Sequence, residues 1–287
     1  MKTITFYDWL VSQKMTFNTA NKYKNLALKF EQWADNQEII SKKITYPELL
    51  NFVDECKKQG NASRTIQLKI AVLRKYFEFI KHKNNPAQEL TIKGVTRIIP
   101  TNLLSQIQLD NLYKNYQENG LSGKRNKIIL SMIIYQCVAI KELNVIEVTD
   151  VDLEKGTIYI PACGRSNSRT MQLKPFQILQ IQDYLLKIRP AILGLFPKET
   201  NYLFVSLGSG KSLQNATSIL LPKIKQHEPL LTGFKQIKSS IITIWIGKYG
   251  LRKTQYFCGH KYVSSTERYK TTHLEEMKSQ LDELHPF

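Results

Sequence analysis

Gly259-His260-Lys261-Tyr262-Val263-Ser264-Ser265-Thr266-Glu267-Arg268-Tyr269 is the stretch on which the reading of this 287-residue chain turns. A glycine precedes a histidine, a polar turn with two serines and a threonine follows, and a tyrosine stands nine positions beyond the histidine, near the end of the chain. The plainest account of such a run is a helix capped by its Ser-Ser-Thr turn and carrying one exposed tyrosine. The histidine adds a group that exchanges a proton near neutrality. The surroundings decide between a cap and a chemical site.

Working outward, 41 Lys and Arg against 24 Asp and Glu give a formal net charge of +17. Such a field attracts polyanions, among which nucleic acid is the commonest soluble one. The excess is shared: residues 1–100 carry 17 basic against 9 acidic side chains, and residues 101–287 carry 24 against 15. Charge therefore lies on folded surfaces of both halves, as in a protein that clamps a duplex from two sides; a generally soluble basic surface gives the same count. No apolar run approaches the ~18 residues that span a bilayer. Met1-Lys2-Thr3-Ile4 turns polar by Asp8, so a secretory signal is not expected and the chain reads as soluble and cytoplasmic. Cys56, Cys137, Cys163 and Cys258 form no CxxC pair, and His227 and His273 have no ligand-like spacing, so neither a disulfide framework nor a metal site is expected. Gly208-Ser209-Gly210-Lys211-Ser212 has Val205 where a phosphate loop needs glycine, which argues against a nucleotide cofactor.

The length suits two domains, each with its own core. Residues 1–95 read as an all-helical bundle. Tyr23, Ala27, Phe30 and Ala34 recur at helical spacing between Asn18 and Ala34. Thr45-Tyr46-Pro47-Glu48 has capping-box spacing ahead of a stripe of Leu49, Leu50, Phe52 and Val53. A longer helix from near Ser63 shows Ile66, Ile70, Leu73, Phe77 and Ile80 on one face. A linker is placed at 96–103. From 104 to 287 helices are expected near 105–116 and 124–137, then two short extended pieces at 151–160 around a Lys155-Gly156 turn, with Thr170–Leu173 pairing back. Helical patterns return at 176–188, 212–225, 235–248, 251–258 and 262–282. The expected fold is mainly α, with a small β-sheet in the second domain.

With these elements in place, Gly259-His260 and Tyr269 resemble the carboxy-terminal signature of the tyrosine recombinases, also called phage integrases. The resemblance extends over nearly the whole chain. It makes residues 1–95 a helical core-binding domain and residues 104–287 a catalytic domain. It implies Tyr269 as nucleophile and His260 as the group that moves a proton or orients a phosphate. It also exposes departures. Where the family usually reads Gly-Leu-Arg, this chain reads Cys137-Val138-Ala139, so an expected arginine is alanine. Where it usually reads His-x-x-Arg, Lys235 and Lys238 stand. Lysine offers one mobile ammonium in place of arginine's rigid fork. The sheet turn that normally presents a catalytic lysine reads Cys163-Gly164-Arg165-Ser166-Asn167-Ser168-Arg169, with Arg165 the best local candidate and Lys141 and Arg169 as other stand-ins.

The implied reaction is attack by Tyr269 on a DNA phosphodiester, followed by reversal with a 5′ hydroxyl from another strand, and it needs no cofactor. Loss of a fixed donor from such a site typically costs roughly 10²–10³ in rate. The expectation is therefore site-specific recombination or integration for a mobile element, by a homo-tetramer on two double-stranded DNA duplexes. Lys69, Arg74, Lys75, Arg169, Lys248, Arg252, Lys253 and Lys261 are the expected phosphate contacts. Two alternatives stay open: a catalytically inactive relative acting as a DNA-binding accessory or architectural protein, and a topoisomerase using the same tyrosine chemistry. A tail face of Leu274, Met277, Leu281 and Leu284 would pack on a neighbouring subunit or on its own domain.

Overall fold

A computed structural model describes residues 4–92, 102–196, 199–207 and 213–270. The chain divides into two units, Met1–Ile98 and Ile99–Phe287. Most of the linker expected at 96–103 falls outside the described residues, as do Gly208–Ser212, His273 and the apolar tail positions from Leu274 to Leu284. The architecture is mainly α, with one three-stranded sheet in the second unit, as the sequence predicts.

The first unit holds α1 (Phe6–Ser12), α2 (Phe17–Asn36), α3 (Tyr46–Lys58) and α4 (Ser63–Phe79). The predicted cap of α3 forms: the Thr45 backbone N–H and hydroxyl both donate to the Glu48 carboxylate, at 2.7 and 2.8 Å. Phe30, Leu49, Phe52, Val53, Ile66, Ile70, Leu73 and Phe77 fill the core. Leu50 departs from its predicted stripe and is exposed. Leu49 and Val53 occupy the inward line four residues apart, so the next residue is rotated about 100° away from it. The Tyr76 phenol donates to Glu31 and ties α4 to α2; burial and that carboxylate push it well above the usual phenol range. Helix α1, seven residues long, carries no periodic signal of its own and is fixed by reciprocal bonds between Thr5 and Asp8.

The cations of α4 are engaged within this unit. Lys69 donates to the Cys56 sulfur at 3.2 Å and lies over Phe52. Lys75 pairs with Glu78 at 2.8 Å and lies over Trp9. Arg74 requires correction from phosphate contact to internal strut. Its Nε donates to the Ala87 carbonyl at 2.8 Å and its Nη2 to the Leu90 carbonyl at 2.6 Å, holding the segment after the bundle against α4.

The second unit contains α5 (Gln106–Lys114), α6 (Gly120–Gln136), α7 (Ile140–Leu143), β1 (Val151–Asp152), β2 (Thr157–Ile160), β3 (Arg169–Gln172), α8 (Pro175–Asp183), α9 (Arg189–Leu195), α10 (Gln214–Lys225) and α11 (Phe234–Phe257). Helix α6 is its axis, with residues 128–134 buried on every side. It stops at Cys137, whose left-handed backbone (φ 53°) turns the chain into α7. The strands form an antiparallel meander with Ile158 opposite Met171 and Ile160 opposite Arg169. Strand alternation then sends Arg169 and Met171 inward and Thr170 outward. A π-type turn at Tyr184–Ile188, within the helix predicted at 176–188, joins α8 to α9 beyond the predicted end. Gly250 (φ 76°) kinks α11 between the two segments predicted at 235–248 and 251–258. Residues 264–270 are again helical. Among the described residues no helix is long and apolar enough to cross a membrane.

Because Arg74 makes two bonds to carbonyls, Arg74→Ala is expected to cost about 2 kcal/mol of stability. The check is a lower urea midpoint at unchanged slope; a surface phosphate contact would leave the midpoint where it is.

Candidate active site

Three segments distant in sequence meet at one buried ion pair. Arg169, at the start of β3, donates through Nη1 to Glu142 Oε1 at 2.7 Å and through Nη2 to Oε2 at 3.1 Å. Both side chains are shielded from solvent, at 0% and 2% exposure. The Glu142 carboxylate also accepts from the Ala139 backbone N–H at 2.6 Å. Burial by itself would raise this carboxyl; Arg169, Lys238 and the Ala139 N–H outweigh it and hold Glu142 below the usual carboxylate range. Two charges removed from water are tolerated because the fork is bidentate and a further donor satisfies the acid. Arg169 is thus corrected from surface phosphate contact, or stand-in for the missing arginine, to internal support.

Gly259 lies directly over that guanidinium. A Cβ at this position would come within 2.4 Å of Arg169 Nη1 and 2.9 Å of the Asn167 carbonyl, and the backbone is left-handed with φ +66°. The loop before β3 is stitched to the same turn: the Asn167 N–H donates to the Gly259 carbonyl at 2.8 Å, and Ser166 bridges to His260. The sulfurs of Cys137 and Cys258, 3.7 Å apart, join the end of α6 to the end of α11 beneath.

On this base sit the predicted residues. His260 Nδ1 shares a proton with Thr266 Oγ1 at 2.8 Å. Thr266 is buried and stands one helical turn before Tyr269, so a single turn of 264–270 carries both the imidazole's partner and the phenol. Tyr269 is 5% exposed. Burial first, and then the charges of Lys238, Arg268 and Arg169, push His260 down to about 4, which leaves it neutral at physiological pH. Lys238, half-buried in the first turns of α11, therefore belongs to this cluster, whereas Lys235 is exposed one turn earlier. Arg165 is exposed at the tip of the Cys163–Ser166 turn. Ala139 contributes a methyl group and a backbone N–H. Lys248, Arg252, Lys253 and Lys261 lie exposed around the kinked end of α11 and beyond it. Tyr256 is 52% exposed and its hydroxyl accepts from the Thr170 N–H at 3.3 Å. Among the described residues no group of three or more His, Cys, Asp or Glu could hold a metal ion.

Residues 4–84 match the family model described as the phage integrase N-terminal SAM-like domain. Over 250 residues the chain is 22% identical to tyrosine recombinase XerC of Oceanobacillus iheyensis, covering 85% of this chain and 81% of that protein. Over most of its length the chain is similar to tyrosine recombinases. It is 23% identical to tyrosine recombinase XerD of Listeria innocua over 292 residues, covering 98% and 97% of the two chains. The fold is shared with the XerH site-specific recombinase solved with a palindromic difH substrate after cleavage (TM-score 0.74, 18% identity, 94% of this chain and 81% of that one). It is shared also with the Tn1549 transposon integrase in complex with transposon right-end DNA (TM-score 0.68, 16% identity, 96% and 98%).

Two outcomes follow from this geometry. Gly259→Ala is expected to displace Arg169 and cost about 3–5 kcal/mol, the usual penalty for breaking a buried pair, read as a large drop in melting temperature. The second concerns pH. The unfolded chain binds a proton at His260 near 6.5, while the folded chain refuses it until about 4. Stability therefore falls as pH drops through that window, by up to roughly 3 kcal/mol at about 1.4 kcal/mol per pH unit. The urea midpoint of the wild type should decline between these pH values more steeply than that of His260→Gln.

Proposed function

We propose that the chain is a site-specific DNA recombinase that cuts and rejoins double-stranded DNA through a phosphotyrosyl intermediate on Tyr269. The observation that carries this reading is the single helical turn that holds Tyr269 and, through Thr266, the neutral His260 beside the Lys238 ammonium. A phenol, an imidazole and cations around one point suit phosphoryl transfer, where catalysis is mostly positioning and charge stabilisation. The Tyr269 oxygen attacks phosphorus, the bond to the 5′ oxygen breaks and that oxygen takes up a proton; a 5′ hydroxyl from another strand reverses the step. Bond energy is kept in the phosphotyrosyl ester, so neither nucleotide nor metal enters the scheme.

DNA binding is consistent with the charge of +17 and with the XerH and Tn1549 structures being DNA complexes. Lys238 and His260 are assigned to the scissile phosphate, with Lys235 and Arg165 at its rim. Lys248, Arg252, Lys253 and Lys261 are assigned to flanking phosphates, and Lys69 and Lys75 to the contribution of the first unit. Assembly as a homo-tetramer on two duplexes, in the cytoplasm, for a mobile element, extends the reading; a lambda integrase tetramer bound to a Holliday junction shares the fold at 12% identity (TM-score 0.67, 92% of this chain and 74% of that one). One observation favours a second reading: position 139 offers only a methyl group and Arg169 is committed to Glu142. A DNA-binding relative without chemistry fits that loss.

The two readings part on covalent capture. Nicked fragments of the genome that carries the gene are incubated with the protein, denatured in detergent, and protein-linked DNA is recovered and sequenced. The expected result is linked DNA converging on defined sites with wild type and none with Tyr269→Phe. Sequence-specific binding without linkage would leave the DNA-binding relative.

A further inference from the structure

We infer that Arg268, the residue immediately before the nucleophile, is the working arginine of this pocket, engaging the phenol oxygen at rest and the nonbridging oxygens of the scissile phosphate during transfer. The inference rests on the recombinase reading given above.

The geometry comes from two directions. Arg268 Nη2 donates to the Tyr269 hydroxyl at 3.2 Å, and the guanidinium carbon lies 5.0 Å from the centre of the same ring. The guanidinium thus lies over the Tyr269 ring with one N–H on its oxygen. Its charge is also among those that depress His260, second only to Lys238 among the cations acting on that ring. The same guanidinium therefore lies close to both the attacking atom and the imidazole, where a phosphate under attack by Tyr269 must sit. Among the described residues the phenol oxygen is the only hydrogen-bond partner of this side chain, and Arg268 is otherwise exposed. The other cations differ in exactly these respects: Arg169 is closed into its pair with Glu142, Arg165 is exposed at a turn tip, and Lys238 has a single ammonium.

The chemistry fits the need. A guanidinium fork offers parallel N–H donors to two oxygens at once, which an ammonium cannot do. In the step itself the Tyr269 O–P bond forms and the P–O5′ bond breaks. The phenol proton passes to the neutral imidazole or to water, and the departing 5′ oxygen takes up a proton. As negative charge shifts from the phenol oxygen to the nonbridging oxygens of the phosphorane, Arg268 can follow it by a small rotation. Holding the cation on the nucleophile's own helical turn keeps that motion short. Two positions where the family usually has arginine, 139 and 238, are here alanine and lysine, and Arg268 supplies the fork they lack.

The test uses the full chain and the nicked duplex recovered by Tyr269-dependent capture. Single-turnover rates of covalent linkage are compared for wild type, Arg268→Ala, Arg268→Lys and Tyr269→Phe, with duplex affinity and urea midpoint measured alongside. Arg268→Ala is expected to slow linkage by about 10²–10³-fold with its urea midpoint unchanged, and Arg268→Lys to recover only part of the rate. Added guanidinium ion at low millimolar concentration should speed Arg268→Ala and leave Tyr269→Phe inert, an effect that a purely structural role would not produce. Linkage by Arg268→Ala at the wild-type rate overturns the assignment and leaves the recombinase reading intact. Absence of linkage with wild type itself overturns the recombinase reading, and the role of Arg268 falls with it.

Discussion

Glu142 and Arg169 are two opposite charges taken out of water together, and the second unit is arranged around making that tolerable. Each ion alone would lose several kcal/mol of hydration. The pair is held because its geometry is bidentate, because the Ala139 N–H adds a third bond, and because no side chain at residue 259 competes for the space. Three elements are fixed as a result: β3 through Arg169, the start of α7 through Glu142, and the turn after α11 through Gly259. His260 follows Gly259 directly, and the helical turn with Thr266 and Tyr269 follows His260. Placement of the proposed chemistry thus traces back to an interaction that takes no direct part in it.

With that pair internally neutral, the charge facing a substrate comes from elsewhere. Burial, reinforced by Lys238 and Arg268 and opposed by Glu142, keeps the His260 imidazole unprotonated. A neutral ring whose Nδ1 is engaged by Thr266 is held in orientation by that hydroxyl. The pocket is therefore positive through its basic side chains and neutral at its histidine, which suits a phosphodiester whose negative charge grows during transfer.

Much of this was legible in the sequence, for physical reasons that differ by element. Helices α2, α3 and α4 carry enough turns for apolar spacing to rise above noise, and the Thr45–Glu48 cap is a local signal read within four residues. The break in α11 was legible because Gly250 separates two periodic runs. Helix α1 was not, since seven residues hold too few apolar positions. The His260–Tyr269 spacing could be read because one short stretch of ten residues carries both. Arg169 and Arg74 could not, because a basic side chain in sequence does not declare its partner. The acid that binds Arg169 lies 27 residues upstream, and Arg74 reaches carbonyls 13 and 16 residues ahead. The available signals were indirect: Met171 pointing inward two residues after Arg169, and one acid, Glu142, embedded among apolar neighbours.

The close approach at Gly259 has a consequence for ancestry. Glycine is demanded there by a guanidinium beneath it, and the following histidine is anchored by its backbone bridge to Ser166 and its ring contact to Thr266. Folding alone is thus enough to retain the Gly-His pair in a lineage that has stopped breaking phosphodiesters. The dipeptide by which such chains are recognised marks descent and a packed interior, while the surviving chemistry is written in the residues that touch the phosphate.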